Sequence, residues 1–123
     1  MKSEVKATKA PDIRERTFRF SVEVVNLCRQ HETTASASRV VSNQLLRAAT
    51  SIGANVEEAY GSQSRADFAA KMSIACKEAR ETRYWIRLAE ACGLFRPTSL
   101  GDFDREANEI VAILTTIAKK CRT

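Results

Sequence analysis

The stretch Ser64–Gly93, SRADFAAKMSIACKEARETRYWIRLAEACG, decides the fold. It opens with a capping signal: Ser64 suits an N-cap, and Asp67, three residues on, stands in for the longer Glu of a capping box. Neither glycine nor proline occurs again until Gly93, a natural helix stop, and Pro97 reinforces the break. Between these signals Phe68, Met72, Ala75, Ala79 and Ile86 share one helical face, and Trp85, Leu88, Ala89 and Cys92 continue beside it. The pattern predicts one uninterrupted helix over 64–92, about 42 Å long at ~1.5 Å per residue. A helix of that length needs partners of similar length to cover its apolar face.

The flanking sequence supplies them. Asp12 can N-cap a helix over about 12–30, with Phe20, Val24, Leu27 and Cys28 on one stripe and Phe18, Val22 and Val25 on a second. So wide a face predicts contact with more than one neighbour. HETTASAS (31–38) reads as a polar connection. A helix over about 37–60 carries Val41, Leu45, Ala48, Ile52, Val56 and Ala59, and Gly61 is placed to end it. Gly53 lies inside that pattern at a cost of about 1 kcal/mol relative to alanine. With Ala48, Ala49 and Ala54 nearby, it predicts close approach by another backbone. The last helix, about 100–121, repeats Phe103, Ala107, Ile110, Leu114, Ile117 and Cys121 at spacings of four and three. Asp102, Asp104 and Glu106 stand at its start and Lys119, Lys120 and Arg122 at its end, as the helix dipole favours. No strand-like alternation competes. The expected fold class is all-α, an antiparallel up-down-up-down four-helix bundle over 12–123, preceded by a flexible basic tail over 1–11 with Lys2, Lys6 and Lys9.

Composition agrees. The 123 residues hold only 4 Gly and 2 Pro, which leaves few turns and long elements. With 44% hydrophobic and 28% charged residues the chain is neither disordered nor membrane-embedded in character. The N-terminal stretch lacks the apolar run of a signal peptide, and no segment approaches the ~20 apolar residues of a membrane span, so cytoplasmic localisation without membrane association is expected. Cys28, Cys76, Cys92 and Cys121 form no C-x-x-C pair and read as small reduced core residues.

No pattern in the sequence selects a catalytic group, a metal or a cofactor. The single histidine, His31, falls in the first connection and reads as a surface residue, and there is no metal-ligand cluster, glycine-rich phosphate loop or nucleophile elbow. A non-enzymatic binding module is expected. Three features carry what binding information there is. Ser51 and Asn55, poor helix-interior residues, sit with Glu58 in SIGANVEE (51–58), where they serve either hydrogen bonds between helices or a ligand. Arg80, Arg83 and Arg87 share one face of the third helix, either to meet phosphates or to form salt bridges, and Lys77 can pair with Glu81 at i+4. Tyr84 and Trp85 point about 100° apart, so one of them packs inward and the other is free for a boundary. The net charge of +5 suits nucleic acid or simply a mixed-charge surface. Ranked by positive density without a nearby acid, the nucleic-acid candidates are Arg47, Arg65, Lys71, Arg80, Arg83 and Arg87.

The run from Gln44 to Phe95 resembles the four-helix bundle protein family that includes proteins encoded by intervening sequences in large-subunit ribosomal RNA genes, a family related to the accessory variability determinant of diversity-generating retroelements. Gln44, Leu45, Arg47, Ala48, Ser51, Ile52, Ala54, Asn55, Glu58, Ser64, Asp67 and Phe68 carry the likeness. Gly53 stands where the family has proline, Ala59 where it has glycine, and Ser62 and Gln63 where many relatives have arginine. The resemblance implies a homopentamer and, for the retroelement branch, an accessory protein that binds RNA or DNA and a reverse transcriptase. The alternative is a structural or adaptor bundle that binds another protein and no nucleic acid.

Overall fold

The starts of two helices, and the end of one of them, coincide with local chemical signals. The computed structural model describes residues 12–122, of Arg122 only its place in a helix, so the basic stretch 1–11 lies outside the described residues. The helices are α1 (Ile13–Gln30), α2 (Ser36–Tyr60), α3 (Arg65–Ala91) and α4 (Gly101–Arg122). Among the described residues there is no strand.

Asp12 caps α1 by accepting the Glu15 backbone N–H at 3.0 Å, and Ser64 caps α3 by accepting that of Asp67 at 3.0 Å. Only half of a capping box forms, because the Asp67 carboxylate turns outward to Lys71. Ser64→Ala is expected to remove about 1 kcal/mol of stability, measured as a lower denaturant midpoint with an unchanged slope. α3 ends in a Schellman turn: Leu94 N–H donates to the Ala89 carbonyl at 2.9 Å and Gly93 N–H to that of Glu90 at 3.1 Å. Gly93 takes φ +76°, the left-handed conformation that favours glycine. Gly61, by contrast, ends α2 at φ −95°, so no left-handed residue is needed there.

The helices pack in the order α1–α2–α3–α4, as an up-down-up-down bundle in which the α1–α4 seam is the lightest. Phe20, Val24 and Leu27 from α1, Leu45, Ile52 and Val56 from α2, Met72 and Ile86 from α3, and Ile110 and Leu114 from α4 fill one core. Alanines (48, 49, 59, 75, 79, 89, 107) let the backbones close up. Thr17 and Thr82, the two buried hydroxyls among the described residues, donate to the carbonyls of Ile13 and Glu78 one turn back, so neither is orphaned. Gly53 lies where α1 crosses α2. A Cβ there would sit 3.3 Å from the Thr17 carbonyl oxygen, the close approach expected from the sequence.

Several expectations are corrected. Most of the second stripe of α1 is left uncovered: Phe18 is 67% and Val22 43% exposed, while Val25 is half-buried beside the groove between α1 and α2. In α4 the buried series runs Ala107, Ile110, Leu114 and Ala118, leaving Ile117 and Cys121 half-buried. A straight helix of ~3.6 residues per turn drifts about 20° per heptad, so the last contact moves one residue on. Cys28 and Cys76 are core residues with free thiols, and burial pushes the Cys28 thiol up. Cys92, at the turn that caps α3, is exposed. His31 is half-buried. Its ring meets Phe95 edge-on at 5.5 Å and its Nε2 lies 3.2 Å from Thr98 Oγ1, which joins the first connection to the last.

Candidate nucleic-acid interface

On α3 the spacings 77, 80, 84 and 87 alternate three, four and three, which keeps these residues on one face. That face is opposite the buried Ala75, Ala79, Thr82, Ile86 and Ala89, so Lys77, Arg80, Tyr84 and Arg87 all stand exposed. Among the described residues no carboxylate oxygen lies within 4 Å of any of the three cations. Arg80 spends one N–H on the Cys76 sulfur at 3.3 Å, and that sulfur is also 3.2 Å from Thr115 Oγ1. The side chain is otherwise exposed. Tyr84, 57% exposed, stands between Arg80 and Arg87.

The six cations expected from the sequence are not gathered into one surface. Arg83 leaves the stripe, because it takes Asp104 with both Nε (2.9 Å) and Nη2 (3.1 Å) and adds Asn108, tying α3 to α4. The paired carboxylate raises its pKa further. Arg47 reaches from α2 to Glu81 (2.5 Å) and Glu78 (3.3 Å) on α3. Arg65 donates to the carbonyls of Cys121 and Lys120, satisfying the open end of α4. Lys71 pairs with Asp67. Of the six, Arg80 and Arg87 remain available. Lys77 joins them because Glu81, its expected i+4 partner, is occupied: it accepts the Trp85 indole N–H at 3.0 Å as well as Arg47. The Trp85 bond first, then Arg47 and last the charge of nearby Lys77, hold the Glu81 carboxyl below the usual range.

In the SIGANVEE segment the link between helices is made by Glu57, which takes Arg14 of α1 at 2.9 Å, and not by Asn55 or Glu58. Asn55 Nδ2 donates to the Ser51 carbonyl within α2 at 2.9 Å, and Glu58 is exposed, its carbonyl accepting from Gly61 and Ser62 at the turn. Trp85 is the inward member of the aromatic pair and Tyr84 the outward one. A second basic feature is invisible to sequence pattern. A groove of about 820 Å³ between the end of α1 and the start of α2 is lined by Arg29 and Arg39, with Thr33, Thr34 and Ser42 and one acid, Glu32. Its two arginines lie ten residues apart across a connection, a juxtaposition that only the α1–α2 crossing creates. Among the described residues no group of three or more His, Cys, Asp or Glu is placed to hold a metal, and no helix is long and apolar enough to cross a membrane.

The sequence model of a family described as 23S rRNA-intervening sequence protein matches residues 9–116. A crystal structure from Bacteroides thetaiotaomicron, described as a protein with unknown function from the S23 ribosomal protein family, is similar over 88% of this chain and 99% of that one. The identity is 34% and the TM-score 0.74. Among curated proteins none matches.

Proposed function

Because the chain belongs to the 23S rRNA-intervening sequence protein family, we propose that it is a non-catalytic, oligomeric RNA-binding module that meets RNA with the outer face of α3. The observation that carries this reading is the row of three cations without an ion pair, Lys77, Arg80 and Arg87, on a helix whose other basic groups are engaged, Lys71 and Arg83 by carboxylates and Arg65 by the last carbonyls of α4. The family's description supplies RNA as the polyanion. The retroelement form of this reading, with a reverse transcriptase as protein partner, rests on the sequence resemblance. So does the homopentamer, for which exposed Phe18 and Val22 on α1 offer an apolar seam.

Three phosphate contacts give a slope of log affinity against log salt of about −2 for single strands, or roughly a 20-fold loss between about 50 and 200 mM. RNA titration at both salts, together with mass in solution, tests the reading. A steep salt dependence on an oligomer is expected. No binding at the lower salt would remove the RNA role and favour the adaptor alternative, in which the apolar face of α1 receives a protein.

A further inference from the structure

An exposed tyrosine is common, but this one is held in place by groups from two helices. Trp85 abuts the Tyr84 ring at 5.0 Å between centroids and an interplanar angle of 77°. Trp85 is itself fixed by its indole N–H to Glu81, Glu81 by the guanidinium of Arg47, and Arg47 by a second contact to Glu78 and a third to Gln44. The sequence of contacts runs from α2 across to α3 and ends on a ring that is 57% exposed. Arg80 lies one turn before that ring and Arg87 one turn after it, so cations bracket it at axial separations of about 6 and 4.5 Å.

We propose that Tyr84 is a stacking platform for an unpaired base, which makes the α3 stripe selective for single-stranded over duplex RNA, and that Glu81 and Arg47 are positioning residues for that platform. This rests on the RNA-binding reading above and specifies its substrate. The warrant is steric and electronic. The A-form major groove is too deep and narrow for side chains to read, and the bases of a duplex already stack on one another, so a convex helix face carrying a ring gains nothing from the ring there. In a single strand the bases splay, each offers a π face, and stacking on an aromatic side chain is worth about 1–3 kcal/mol per base on alanine substitution. The flanking arginines then meet the phosphates on either side. Because every base has such a face, the site tolerates any sequence.

The sole tryptophan is a built-in reporter, since it touches the proposed platform. An unstructured RNA oligomer and a perfect duplex of equal length are titrated at fixed low salt, with Trp85 emission and anisotropy read together. The wild type is expected to prefer the single strand and to change its emission only with it. Tyr84→Ala should weaken single-strand binding about 5- to 150-fold, the equivalent of that stacking energy, while duplex affinity and the salt slope stay as they were. Tyr84→Phe should retain binding. Glu81→Ala should weaken single-strand binding without altering the salt slope, and Glu81→Gln, still able to accept the indole N–H, should restore it. Duplex affinity equal to or above single-strand affinity would overturn the proposal, as would unchanged single-strand binding by Tyr84→Ala. If charge reversal at Arg80 and Arg87 still abolishes binding in those cases, the RNA-binding reading survives and only the platform falls. Absence of binding to either RNA would overturn both.

Discussion

Phe20→Ala is expected to lower the unfolding free energy by about 3–5 kcal/mol, a large share of the roughly 5–15 kcal/mol that holds a domain together. Phe20 is 1% exposed and meets Phe103 of α4 edge-on at 6.4 Å. It closes the lightest seam of the bundle, where α1 and α4 share few other contacts. A second tie is Arg16, which takes Glu106 at 2.6 Å and Glu109 at 2.5 Å and whose pKa both acids raise. Truncating Phe20 leaves a cavity that the fixed α2–α3–α4 packing cannot close. Hydrogen exchange should therefore accelerate first along α1, before the global transition. A uniform loss of protection across all four helices would contradict this picture of the seam.

The second large effect concerns RNA. Arg80→Glu combined with Arg87→Glu is expected to lower affinity at least about 100-fold at low salt and to flatten the salt slope from about −2 to a magnitude under about 1. Both side chains are exposed and carry no ion pair, so folding should be little affected. Arg83→Gln is the informative control. Arg83 is committed to Asp104 and Asn108, so its loss should reduce stability while RNA affinity changes less than about twofold. If the Arg83 variant loses RNA and the double variant keeps it, the interface has been placed on the wrong face. Charge on Glu81 also links to pH. Its carboxyl lies below the usual range in the folded chain, so its contribution is present above the ordinary carboxylate pKa and is lost as pH falls through the lowered value.

Features set by near neighbours along the chain are legible from residue order alone. The caps at Asp12 and Ser64, the glycine stop at Gly93 and the apolar periods of α2 and α3 are all local, and together they specify a four-helix bundle. The close approach at Gly53 is legible too, because a glycine among alanines inside a helix has few other uses. The interface is legible only in part, for a physical reason. Arg47 and Arg83 look free in the sequence because their acids lie 34 and 21 residues away. Which cations remain unpaired depends on the axial register of neighbouring helices, and periodicity does not encode that. Lys77 is hidden by the opposite error. An acid at i+4 looks like its partner, but the same acid is claimed across the α2–α3 seam. The apolar second stripe of α1 looks like a contact within the chain, yet the bundle leaves Phe18 and Val22 uncovered.

The bundle is also fastened at both ends. At one end His31 joins Phe95 and Thr98, and at the other Arg65 clasps the last carbonyls of α4 while Arg14 lies over the Tyr60 ring at 5.0 Å. Alanine-rich seams are smooth, and smooth helices slide past one another by a turn, about 5.4 Å. A slide of that kind would have to break the contacts at both ends of the bundle. The outer row of α3 therefore keeps its height along the axis. Copies set side by side would bring their rows level, a track whose pitch is fixed by the width of the bundle rather than by any flexible joint.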